Sequence, residues 1–200
     1  MCIDCLQKVP ISPEICPICT EFSFGGKTHP RCLGSQELDG LITAWRYQGV
    51  VKKSILALKY RFASDVSDEL VTEYLKVISN INKGILAPIP LNRKRQNWRG
   101  FNQSEELGKR VSKKLGLKFI PDLLIKKTSN KPQARLTKKD REKNIRGVFV
   151  INPNHYSLIT SPYCLYLFDD VWTTGSTMKE ACKTIKRNGA GKVWGMTIVR

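Results

Sequence analysis

Asp169 and Asp170 stand side by side where an apolar run, residues 163–168, ends, and a loop of hydroxyls and glycine follows them: Thr173, Thr174, Gly175, Ser176 and Thr177. The apolar run has the length of a strand buried on both faces. Acids at its end fall on the edge of an open α/β sheet, where ligands bind. Gly175 lets the backbone approach an anion closely, and hydroxyls and N–H groups around it can surround phosphate oxygens. Thr177 and Glu180 have the spacing of a capping box, which predicts a helix starting there with its positive end towards the same anion. Strand, twin acids, loop and helix in this order make a site for a phosphorylated sugar. A chance pair of acids before an ordinary helix is the competing reading, and the complete ordered pattern weighs against it.

The stretch YLFDDVWTTGST resembles the motif with which type I phosphoribosyltransferases bind phosphoribosyl pyrophosphate (PRPP). The resemblance implies that Asp169 and Asp170 hold the 2- and 3-hydroxyls of the ribose and that residues 173–177 hold its 5-phosphate.

A second constellation lies near the start of the chain: Cys2-x2-Cys5, Cys16-x2-Cys19, then His29-x2-Cys32. Paired CxxC knuckles supply thiolates for a tetrahedral zinc ion, and a segment this short needs metal to fold. Two ligand sets have equally good spacing. One is Cys2, Cys5, Cys16 and Cys19; the other is Cys16, Cys19, His29 and Cys32. Either set closes the coordination shell, so the zinc is expected to be structural. The odd total of seven cysteines and the lack of a secretion leader argue against disulfides. Cys164 and Cys182 fall in apolar patterns and read as small core residues.

The remaining sequence supplies elements to position these groups. Strands are expected over residues 41–47, 85–89, 117–120 and 193–199, with residues 149–151 resuming the sheet. Helices are expected from about residue 51 to Tyr60, over residues 67–79, from Asn102 to a stop at Gly116, and after the glycine loop. Alternating strands and helices predict an α/β fold with a mostly parallel sheet flanked by helices. Residues 126–146 are basic and lack apolar periodicity, which predicts a long segment with a short helix near residues 138–144. The two hundred residues suit a small metal module over residues 1–36 and one domain over residues 37–200. No apolar run reaches membrane-spanning length and no leader precedes it, so the chain is expected to be cytoplasmic.

The formal net charge of +17 favours polyanionic partners. Between Arg93 and Arg146 stand 18 Lys/Arg and 5 Asp/Glu; the other 146 residues hold 16 and 12. Arg93, Lys94, Arg95 and Arg99 crowd a stretch closed by Gly100 and a helix start, with Trp98 and Phe101 among them. Such a loop binds anions, and its rings can stack on the bases of single-stranded DNA.

The order of CxxC pairs, PIPL…RGFNQ, Lys131-Pro132-Gln133 through Arg135, Arg141 and Asn144, and then DDVWTTGST resembles the ComF (ComFC/GntX-like) family. These are zinc-finger proteins with a type I phosphoribosyltransferase-like domain, linked to competence and uptake of single-stranded DNA. Two departures stand out: the family pattern has a further CxxC upstream, and His29 stands where other members often carry cysteine. The resemblance implies that Arg93, Arg95 and Arg99 face the pyrophosphate of PRPP, that Mg²⁺ accompanies it, and that Asp169 and Asp170 also stabilise the ribose cation during transfer to an acceptor. Residues 127–146 would form a cover that closes over ligand. Three readings follow: a phosphoribosyltransferase, a non-catalytic PRPP sensor that binds nucleic acid, or a module that docks a DNA-uptake helicase.

Overall fold

Apolar runs joined by helices produce a sheet in which each strand points the same way, because a helical crossover returns the chain to its starting edge. The computed structural model describes residues 3–60, 64–79, 81–91, 100–127 and 146–200. Five strands form the main sheet: β1 (Gly40–Trp45), β2 (Gly84–Pro88), β3 (Lys118–Phe119), β6 (Cys164–Val171) and β7 (Val193–Val199). Their spatial order is β1-β7-β6-β2-β3, with every neighbouring pair parallel. The crossovers carry α2 (Gly49–Tyr60) and α3 (Ser64–Val77) before β2, α4 (Gln103–Leu115) before β3, and α6 (Ser176–Arg187) before β7. Two shorter helices, α1 (Ile3–Gln7) and α5 (Tyr156–Ile159), were not expected from the sequence. Among the described residues no helix is long and apolar enough to cross a membrane.

β6 shows why both faces are covered. Leu165 and Leu167 join a core with Met178, Ala181, Cys182 and Ile185 of α6. Tyr166 and Phe168, alternating with them, join a second core with Val51, Ile55, Leu70 and Tyr74 of the helices α2 and α3. α4 packs on this second side through Leu107 and Val111, and Gly108 permits close approach: a Cβ there would lie 3.0 Å from a methyl of Leu86. Gly116 closes α4 in the left-handed conformation, as its position predicts.

Residues 149–151 do not resume the sheet. They form β5 (Phe149–Ile151), which pairs antiparallel with β4 (Leu124–Lys126), an element the sequence analysis missed. Lys127 N–H continues this ribbon to the Val148 carbonyl at 2.7 Å. Leu124, Phe149 and Ile151 are buried in the core that α6 completes, and burial there decides against the sheet edge.

Strand order creates a crevice. After β2 the chain moves outward to β3; after β6 it moves the opposite way to β7. The C-terminal ends of β2 and β6 therefore flank a topological switch point, where open sheets bind ligands. Pairing of β2 with β6 ends at Pro88 and Phe168, while β6 continues beside β7 to Val171 and Val199.

The cysteine-bearing segment lies along the exposed side of β1. Ser12 N–H donates to Ala44 O at 2.8 Å, Arg46 N–H to Pro10 O at 3.0 Å, and Thr28 N–H to Asp39 O at 2.9 Å. An edge strand is thereby paired rather than left open. Ile15 of this segment is buried in the same core as Leu38 and Leu41.

Tyr74 is fully buried against Trp45, and its hydroxyl has no hydrogen-bond partner among the described residues. Burial pushes its pKa well above the ordinary value. Tyr74→Phe is expected to stabilise the protein by up to about 1 kcal/mol, since a desolvated hydroxyl is removed. Thermal unfolding would show a rise of about 2–4 °C; a fall of that size would mean that the hydroxyl is satisfied in solution.

Candidate functional site

Asp169 and Asp170 sit inside the end of β6, which runs three residues further than the apolar run in the sequence suggests. Both lie past the last residue that β2 pairs, so they border the crevice. Asp169 Oδ1 accepts the Ser104 hydroxyl at 2.6 Å and the Asp170 N–H at 2.9 Å. Burial, then the neighbouring negative charge of Asp170, raises the Asp169 carboxyl to about 7, although both of those donors pull it down. Asp170 is 9% exposed. Two acids this close hold a proton near neutrality, which a cation or a set of sugar hydroxyls would replace.

A hydrogen-bonded circuit supports the pair. Ile89 N–H donates to Phe168 O at 2.8 Å. Asn102 Nδ2 donates to Ile89 O at 3.1 Å, while Asn102 Oδ1 caps α4 by accepting Ser104 N–H at 3.1 Å. The predicted cap at Asn102 is present. Ser104, which the sequence analysis passed over, follows two residues later and reaches Asp169. Its only sequence signal is its place in the first turn of a helix that must start beside the crevice.

Beyond β6, Gly175 takes φ 71° and ψ 2° and precedes the first residue of α6. A Cβ at Gly175 would lie 2.2 Å from the Trp172 ring, so conformation and space both require glycine. Thr174 Oγ1 lies 2.7 Å from Ser176 Oγ and accepts Ser176 N–H at 3.3 Å. Thr173 and Thr174 are exposed; Ser176 and Thr177 are half-buried. The capping box expected at Thr177 and Glu180 is absent. The helix starts one residue earlier, Gly175 offers no side-chain cap, and the Glu180 carboxylate instead accepts Gly147 N–H at 2.7 Å. Glu180 is only 9% exposed, and that inward position draws it away from the helix start. A helix start without a side-chain cap, behind a loop of hydroxyls, suits an anion. Glu180 ties the residues beside β5 to α6, a link without a sequence signal.

Of the two ligand sets, the second is gathered into a cluster. The ligand atoms of Cys16, Cys19, His29 and Cys32 all lie within 4.8 Å of one another. Tetrahedral zinc with thiolate bonds of about 2.3 Å spaces its ligand atoms ~3.8 Å apart, so this three-cysteine, one-histidine cluster can hold a zinc ion. His29 Nε2 lies 3.0 Å from the Phe22 carbonyl and so carries the proton, which leaves Nδ1, 3.3 Å from Cys19 Sγ, as the metal-facing nitrogen. Burial raises the Cys16 thiol, but hydrogen bonds from the backbone of Cys19, His29 and Ile18 outweigh it, and the pKa falls to about 7. Cys5 lies exposed on α1, outside this cluster, and Cys2 lies outside the described residues.

Arg93, Lys94, Arg95, Trp98 and Arg99 also lie outside the described residues, as do Lys131, Gln133, Arg135, Arg141, Asn144 and the helix expected near residues 138–144. The described ends of those stretches are placed. Phe101 is half-buried next to Asn102, and the β4–β5 ribbon brings residues 127 and 148 together beside α6.

The chain is 26% identical to competence protein F of Haemophilus influenzae over 98% of this chain and 89% of that protein. It is 23% identical to competence protein ComFC of Bacillus subtilis over 100% and 84%. With DNA utilization protein YhgH of Escherichia coli K12 the identity is 25% over 96% and 87%. The resemblance to the ComF family is thus a full-length one. No protein-family model matches the chain. Among solved structures, glutamine PRPP amidotransferase from Bacillus subtilis, complexed with ADP and GMP, aligns with 71% of this chain and 30% of its own at 13% identity, with a TM-score of 0.46.

Two outcomes are expected. Metal analysis of the purified chain should find one zinc, lost in His29→Ala and Cys32→Ser but kept in Cys5→Ser; loss in Cys5→Ser instead would restore the first ligand set. Asp169 binds its proton more tightly folded, at about 7, than its ordinary 3.8. Its contribution to stability is complete below the ordinary value and disappears as pH rises through 7. Asp169→Asn should therefore gain stability over the parent as pH climbs from about 4 to about 8, by at least about 1 kcal/mol. Denaturant melts at several pH values would test this, and a pH-independent difference would contradict it.

Proposed function

We propose that this chain is a cytoplasmic ComF-type protein that binds PRPP and acts with single-stranded DNA. It would consist of a zinc module, residues 1–36, and a type I phosphoribosyltransferase-like domain, residues 37–200. One observation carries the reading: twin carboxyls and a helix start without a side-chain cap, separated by a glycine turn, meet at the switch point between β2 and β6. Asp169 and Asp170 would accept the ribose hydroxyls. Residues 173–177 and the first turn of α6 would take the 5-phosphate. Arg93, Arg95 and Arg99, which follow β2 in the sequence, would face the pyrophosphate. Mg²⁺, were it bound with PRPP, would supply positive charge to the pyrophosphate. The acids would stabilise the ribose cation as that bond breaks, while the cationic stretch holds the departing group.

The charge distribution supports the DNA component and favours a second reading. The excess of cations between Arg93 and Arg146 suits a polyanion longer than PRPP. Under that reading the sugar-phosphate site is a sensor, nucleic acid binds through Arg93, Lys94, Arg95, Trp98, Arg99 and Phe101, and the zinc module docks a DNA-uptake helicase. The names of the related competence and DNA utilization proteins agree with either form.

Calorimetry with PRPP and Mg²⁺ is the deciding experiment. Binding is expected, with a loss of ~100-fold or more when Asp169 and Asp170 are both changed to Asn; retained affinity would displace the site. The same double variant should keep its affinity for single-stranded DNA, which should weaken with salt at a log–log slope of roughly −0.7 per phosphate contact. Release of pyrophosphate with a nucleobase or other acceptor would select the enzyme over the sensor.

A further inference from the structure

We propose that Ser104 is the positioning residue for Asp169, and that with Asn102 it locks the start of α4 and the end of β2 to the acid pair as one hydrogen-bonded unit. The links close a ring. It passes from the Phe168 carbonyl to Ile89 N–H, from the Ile89 carbonyl to Asn102 Nδ2, from Asn102 Oδ1 to Ser104 N–H, and from Ser104 Oγ to Asp169, the residue after Phe168. Ile89, Asn102 and Ser104 are 4%, 6% and 4% exposed, so water has little access to the bonds among them, while Asp169 at the end of the ring is half-buried. A serine hydroxyl has a single proton to donate, and here Asp169 receives it at 2.6 Å. The second donor, Asp170 N–H, falls on the same oxygen. Two donors on Oδ1 fix the rotation of the carboxyl and localise its charge. Among the described residues, the charge that raises its pKa is that of Asp170. Ser104 therefore favours the ionised form of Asp169 against burial and a like charge.

This inference rests on the proposed ribose site only where PRPP is used, so its test has two independent arms. In the first, the Asp169 carboxyl is titrated by carbon-13 NMR in the full ligand-free chain. Ser104→Ala should raise its midpoint by about one pH unit, and Ser104→Thr, which keeps the hydroxyl, should leave it near the parent value. An unchanged midpoint in Ser104→Ala overturns the proposal. In the second arm, calorimetry with PRPP and Mg²⁺ should show about tenfold weaker binding for Ser104→Ala and recovery in Ser104→Thr. In an Asp169→Asn background, Ser104→Ala should add no loss beyond about twofold, whereas a further tenfold loss would mean a purely structural role and overturn the proposal. Should the parent chain fail to bind PRPP, the functional reading falls and the first arm still decides the role of Ser104. If Ser104→Ala does not fold, Ser104→Cys, similar in size with a weak donor, replaces it in both arms, with the same direction of change expected.

Discussion

Two carboxyl groups on consecutive residues, drawn partly out of water, repel each other, and the surrounding chain is arranged to bear that repulsion. Asp169 is pushed towards its protonated form by burial and by the charge of Asp170, and Asp170 itself is only 9% exposed. Asp169 accepts hydrogen bonds from Ser104 and the backbone, and both acids lie beyond the end of β2, where a ligand can reach them. A site that is uncomfortable when empty binds most strongly what relieves the discomfort: a cation, or hydroxyls that donate. The rest of the domain follows from holding these acids at a fixed height on the sheet. β6 is central, covered on both faces, and registered against β2 and β7, so its end cannot slide.

The motif from residue 166 to residue 177 was readable in the sequence because its chemistry is local. A strand, two acids, a turn and a helix need only neighbouring residues to be recognised; what was misplaced was the end of the strand, at Val171 rather than 168, and the helix start with its capping box at Thr177. The parallel sheet was readable for a similar reason: each strand carries an apolar run and each crossover a helical period. Contacts between distant residues were not readable. Ser104 meets Asp169 across 65 positions, and Glu180 meets Gly147 across 33. Nor could periodicity show that residues 149–151 would pair with residues 124–126, since three apolar residues fit a ribbon as well as a sheet edge.

The ligand choice in the cysteine cluster has the same cause. Spacing offered two sets, and only folding decides which side chains converge. The turn from Cys16 to Glu21 is closed by Cys16 N–H to Glu21 O and Thr20 N–H to Cys16 O, both at 2.9 Å, which aims Cys16 and Cys19 together. His29 and Cys32 then arrive on a single 3-10 turn, Pro30–Cys32, with the Phe22 carbonyl orienting the imidazole. Cys5, on its own short helix, is directed elsewhere.

The strand order also bears on how the chain is made. Among the described residues β1 is the first strand in the chain, yet its neighbour in the sheet is β7, more than 140 positions later. In the folded chain the cysteine-bearing segment lies along one side of β1 and β7 along the other. Contacts so remote in sequence make closure slow and expose a bare strand meanwhile. A metal ion captured early by residues 16–32 would therefore act as a chaperone built into the polypeptide, shielding one flank of the nascent sheet until its missing neighbour arrives.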